Sequence, residues 1–127
     1  MARKPALDLA RQLFEHAGEG DSGAMADMLA DDALLYATHL RGRRFEGREE
    51  IERFLSDSGF EAEGSTYTPF DDEYVVVTLA LRRRLPNGGL ADSTLAMVVK
   101  VDGDAIVCLD AFPSAAAALR SLAENAG

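Results

Sequence analysis

Tryptophan is absent and cysteine occurs once, so no internal disulfide can brace this chain of 127 residues. A lone thiol, Cys108, fits a reducing compartment, and the cytoplasm is expected. Histidine is almost as scarce, with only His16 and His39. One cysteine and two distant histidines exclude a zinc cluster of the usual spacing, and no metal or other cofactor is expected. Positive charge is in deficit: 13 lysines and arginines against 22 acids leave a net charge of −9. A negative field repels phosphate backbones, which argues against nucleic acid as a partner. No apolar run approaches the ~20 residues of a membrane helix. In "MARKPALDLA" Asp8 and Arg11 interrupt any signal-peptide core, so the start reads as a short cytoplasmic tail.

What is present is a hydrophobic fraction of 47%, enough for a core without metal or disulfides. The length fits one domain spanning 1–127, which buries roughly two thirds of the surface its unfolded chain exposes. In 6–17, Leu7, Ala10, Leu13, Phe14 and Ala17 recur at helical spacing. "GEGDSG" breaks that helix, and Asp21 or Ser22 caps a second one over "GAMADMLAD". Residues 33–39 read as a strand, 41–47 as a charged loop and 47–59 as a short helix with Ile51, Phe54 and Leu55 on its buried stripe. Strands are then expected at about 64–70, 73–85, 90–101 and 105–112, joined by turn signals at "PNGG" and "DGD". Ser114 caps a terminal helix. The expected class is α+β: a cone-shaped, strongly curved antiparallel sheet covered by the N-terminal helices. Hollows of this kind hold small ligands.

Four stretches carry a resemblance: "GEGDSGAMADMLADDALL", "FEGREEIERFL", "VVKVDGDAIV" and the strand leading into "FPSAAAALRSL". In this order and spacing the chain resembles the nuclear transport factor 2-like superfamily, close to its bacterial SnoaL-like and ketosteroid-isomerase-like branch. The resemblance implies a cone-shaped pocket and often a homodimer. It implies little chemistry, because the fold hosts isomerases, cyclases, hydrolases, dehydratases and binding modules.

Ketosteroid isomerases need a tyrosine, a basic aspartate and a protonated aspartate. The resemblance puts those positions at Leu13, Ala37 and Met97, all apolar here. That mechanism is therefore not expected. Side-chain alternation puts Leu35, Ala37 and His39 on one side of the first strand, so His39 is expected at the pocket mouth. Imidazole titrates near neutral pH, which makes His39 a candidate acid or base. Alternation also puts Val107, Leu109 and Ala111 on one face of the last strand and Ile106, Cys108, Asp110 and Phe112 on the other. Asp110 is then an outer-face charge near Arg82 or Lys100, or a pocket acid if the register slips by one. Arg83 falls on the pocket side near a strand end, while Arg41, Arg43 and Arg44 read as a solvated loop.

The expected ligand-binding lining is Leu13, Phe14, Leu35, Ala37, His39, Phe54, Val77, Leu79, Leu95, Met97, Val99 and Leu109. It suits a small hydrophobic molecule and lacks the acid–base pair that proton transfer needs. The first reading is a SnoaL-like small-molecule-binding protein. The alternative is an isomerase, cyclase or dehydratase of the same fold that uses His39 or Asp110. A third is an interaction protein whose cavity its own side chains fill. On the outer face, Val76, Thr78, Ala80, Ala96, Val98, Ile106, Cys108 and Phe112 align by parity, and a homodimer through that face is expected.

Overall fold

The apolar stripe at the start of the chain forms α1, Ala6–Gly18, which buries Leu9, Ala10, Leu13, Phe14 and Ala17. The computed structural model describes residues 6–37, 42–57, 62–84, 87 and 90–126. Helix α2, Ser22–Asp27, begins where expected: the Ala24 N–H donates to Asp21 Oδ1 at 3.0 Å, satisfying one of the free donors of the first turn. It ends earlier than "GAMADMLAD" suggests. Leu29 already belongs to strand β1, Leu29–Ala37. The register of β1 shifts between Leu29 and Leu34, so the exposed Asp31 and Asp32 stand at an irregularity and not in a helix. Asp31 forms an ion pair with Arg48, which ties β1 to the start of α3. The strand is described as far as Ala37; Thr38 and His39 lie outside the described residues.

The stretch taken as a charged loop holds strand β2, Arg43–Glu46, antiparallel to β1. Its charges are those of an edge strand, and Phe45 alone is buried. Helix α3, Arg48–Asp57, follows, with Glu49 and Glu50 in its first turn. Between them Gly47 has φ +93° and donates its N–H to Ala33 O at 2.8 Å. A methyl group there has room, 3.7 Å from Asp31 O, so strain and not collision decides the effect. Gly47→Ala is expected to cost about 1–2 kcal/mol, the penalty of a left-handed backbone for an L-residue. An unchanged denaturant midpoint would show that the turn relaxes freely.

Strands β3, Ala62–Pro69, β4, Tyr74–Arg84, β5, Leu90–Asp102, and β6, Ala105–Phe112, form an antiparallel meander, and α4, Ala115–Ala126, closes the chain. The sheet order is β2-β1-β6-β5-β4-β3. It is curved and largely antiparallel, as expected of this α+β fold, and mixed at one pairing. β1 pairs with β6 in parallel, Leu35 opposite Leu109 and Ala37 opposite Ala111. Hairpins fix direction along the meander, but the free edge of β6 meets a strand that enters from the helical end running the same way.

Two rungs cross the inner face. One runs Val75–Val99–Leu109–Leu35–Phe45, the other Tyr67–Val77–Met97–Ala111–Ala37–Arg43. Helices α1, α2 and α3 pack on this face and join it in the main core. The outer face carries a second, smaller core, in which Val76, Ala96 and Val98 pack against Ala118 and Leu122 of α4. Ser114 starts that helix as expected, accepting from the Ala117 N–H at 3.1 Å.

A bulge corrects the alternation expected for the last strand. The β5–β6 register shifts between Lys100 and Val101, with Val101 opposite Ile106. The extra residue turns Ile106 inward, fully buried in the main core, and puts Val107 on the outer surface. Beyond the bulge the expected parity holds. No helix among the described residues is long and apolar enough to cross a membrane.

Candidate functional site

The concave face gathers most of the expected lining. Leu13 and Phe14 come from α1, Leu35 and Ala37 from β1, Val77 and Leu79 from β4, Leu95, Met97 and Val99 from β5, and Leu109 from β6; all are buried in one cluster, with Phe54 of α3 packed against it. His39 lies outside the described residues, as do the side chains of Arg82, Arg83 and Arg84. No polar or charged side chain is buried among the described residues.

Burial is nearly uniform along this face: Val75, Val77, Leu79 and Val99 are 0% exposed, and Met97 and Leu95 reach only 5% and 6%. One rung further on, Leu81 is half-buried and its partner Ser93 is exposed. Beyond Leu95 this face therefore passes from aliphatic wall to a polar edge within a few residues. Phe45 and Phe54 stack at the β2 edge of the sheet, ring centroids 4.2 Å apart. Arg43 lies over both, its guanidinium carbon 5.0 Å from the Phe45 centroid and 5.9 Å from that of Phe54. Beside them is a depression of about 410 Å³ lined by Arg43, Phe45, Glu50, Arg53, Phe54 and Asp57. On the opposite flank Arg11 of α1 covers the Tyr67 ring at 5.4 Å. Burial raises the Tyr67 pKa; Arg11 opposes the shift and Glu15 adds to it.

Arg43 and Phe45 were not legible as site residues while 41–47 read as a loop. The signal was there: in "RRFEG", Arg43 and Phe45 share a parity opposite to Arg44 and Glu46. The outward pair Arg44–Glu46 forms an ion pair at 3.2 Å.

Asp110 faces the other way. It is half-buried on the outer face, opposite Val98 and Tyr36, which removes it as an acid for the concave lining. It belongs to an outer depression of about 890 Å³ that also takes in Leu34, Tyr36, Tyr74, Lys100 and Cys108. Burial pushes the Cys108 thiol up to about 11 from an ordinary 9.0; Asp110 adds to the shift and Lys100 opposes it. The folded chain thus holds this proton more tightly than the unfolded chain. The resulting stability is complete below pH 9.0 and is lost as pH climbs through about 11. Cys108→Ala should therefore flatten the fall in urea midpoint across that window. Equal alkaline slopes in both proteins would remove the thiol from the account.

Among the described residues no group of three or more His, Cys, Asp or Glu side chains could hold a metal ion. No family model and no curated protein matches the sequence. Solved structures do match in fold. A putative polyketide cyclase from Xanthomonas campestris is 19% identical, covering 91% of this chain and 94% of its own, with a TM-score of 0.74. An NTF2-like protein of unknown function from Burkholderia pseudomallei is 17% identical over 91% and 95%, with a TM-score of 0.71. RV0760c from Mycobacterium tuberculosis, in complex with estradiol-17beta-hemisuccinate, is 12% identical over 86% and 94%, also at 0.71.

Proposed function

Because this chain has the nuclear transport factor 2-like, cystatin-like fold, we propose that its concave face binds a small hydrophobic molecule at the wide end of the cone. The observation that carries the reading is the aliphatic wall of the concave face, one buried cluster that gives way beyond Leu79 and Leu95 to the half-buried Leu81 and the exposed Ser93. The steroid-derived ligand of the Mycobacterium neighbour supports the same use of the fold. Titration with the neutral dye Nile red tests it. Saturable, one-to-one binding is expected, and Leu95→Trp should weaken it about tenfold by filling the space. Non-saturable binding, or binding indifferent to Leu95→Trp, would overturn the reading.

The Xanthomonas neighbour favours the alternative of an isomerase, cyclase or dehydratase. With Asp110 on the outer face, that alternative now rests on His39 alone. We also propose a cytoplasmic location, which the single half-buried Cys108 fits.

A homodimer through the outer face belongs to the same proposal, on altered grounds. Val76, Ala96 and Val98 are covered by the chain's own α4 and Ile106 faces inward, so they no longer argue for a partner. The remaining surface is Leu34, Tyr36, Val107, Cys108 and Phe112, beside the exposed Phe70. Its depression carries Asp32, Asp71, Glu73, Asp102 and Asp110 against Lys100 alone. Two such faces repel until salt screens them, over ~8 Å at physiological ionic strength. Sedimentation should show a dimer at micromolar concentration that tightens between low and high salt. A monomer under all conditions would end the proposal.

A further inference from the structure

We propose that the hydrophobic ligand of the concave face carries a carboxylate, and that Arg43 is the residue that reads it. This rests on the reading that the concave face holds a small apolar molecule. Arg43 ends the inner rung Met97–Ala111–Ala37, the one of the two rungs nearer Leu95 and Leu81, and it is the only charged member of that rung. Arg43 is exposed at this edge of the sheet, on the same parity as the buried Phe45. Its neighbour Arg44, on the outer parity, behaves as surface arginines do and pairs with Glu46.

Arg43 has no such partner among the described residues. The chain has 22 acids, and Glu50 and Asp57 line the same depression, yet no described carboxylate forms an ion pair with Arg43. Its guanidinium carbon instead lies 5.0 Å from the Phe45 centroid and 5.9 Å from that of Phe54. With no described acid on it, the guanidinium has N–H donors to offer, and a carboxylate matches their fork with two parallel hydrogen bonds. Its cation is also weakly hydrated and already partly ordered, so less freedom is lost when an anion docks. The aliphatic wall past Met97 and Leu95 takes the tail, and Arg43 at the rim takes the head. The net charge of −9 repels anions elsewhere on the surface. An acid is accepted only where the apolar wall and this cation coincide.

The ligand class is a small hydrophobic monocarboxylic acid. The test compares decanoate with decan-1-ol on the whole chain at pH 7.5 by calorimetric titration. Wild type should bind decanoate about tenfold more tightly, the weight of one well-made charged hydrogen bond. Arg43→Gln should abolish that preference, weakening decanoate far more than decan-1-ol, and Arg43→Lys should restore part of it. Arg43→Met, which keeps the packing over the rings, separates a lost charge from a loosened rim. Equal binding of the two probes by wild type overturns the carboxylate preference alone. So does an Arg43→Gln variant that weakens both probes equally, since the arginine then only closes the rim. Binding of neither probe overturns the concave-face reading and the preference with it.

Discussion

Ala37→Asp should lower stability by about 3 kcal/mol or more, the cost of burying a carboxylate in an aliphatic wall. For a domain of this size that is a fall of roughly 10 °C in thermal midpoint. Ala37 is 2% exposed and sits between Ala111 and Arg43 on the inner rung. The new acid has two ways to reduce the penalty. It can keep its proton, so the deficit should shrink as pH falls from 7 toward the ordinary carboxylate range. It can also draw on Arg43, the cation beside it on the rung. Arg43→Gln in the Ala37→Asp background should therefore cost more than it does alone, a coupling read from a double-mutant cycle. A neutral Ala37→Asp would place residue 37 in water and undo the inner rung.

Ending the chain at Pro113 should be comparably damaging. It removes the cover that Ala118 and Leu122 give to Val76, Ala96 and Val98. A fully buried Val or Leu side chain contributes about 1.5–3 kcal/mol, so losing Leu122 and re-exposing the valines should cost about 4 kcal/mol. The truncated protein should also self-associate, since a bare valine-rich sheet face is a template for contact. Leu122→Ala, with one buried side chain shortened, should cost about 2 kcal/mol without aggregation. An unaltered urea midpoint after truncation would mean that α4 does not rest on the sheet.

Local pattern made much of this fold legible. Helices α1, α3 and α4 fall within one or two residues of their expected bounds, because stripe spacing, Asp21, Gly47 and Ser114 mark local physics. The concave residues were legible too, since alternation along β4 and β5 runs uninterrupted from Val75 to Leu81 and from Leu95 to Val99. What escaped was non-local or irregular. Nothing in Leu35 names Leu109 as its parallel partner. The bulge that turns Ile106 inward exists only against Val101 of another strand. β2 escaped because an edge strand with one buried residue has the composition of a loop. The outer face looked bare because alternation reports which residues point outward but not that α4 returns to cover some of them.

The parallel contact between β1 and β6 also sets the order in which the molecule can assemble. β1 and β2 leave the ribosome early, yet the sheet edge they dock on is completed only when Phe112 has been made. Until then the inner face of β1 has Phe45 and the helices for company and no neighbour on its other side. Pairings this distant along the chain close large loops before they return any contact energy, which slows folding toward the millisecond-to-second range. The nascent chain should thus carry a half-dressed β1–β2 ribbon through most of its synthesis. The bent backbone and paired charges around Asp31, Asp32 and Arg48 make that ribbon a poor template for a stranger's strand while it waits.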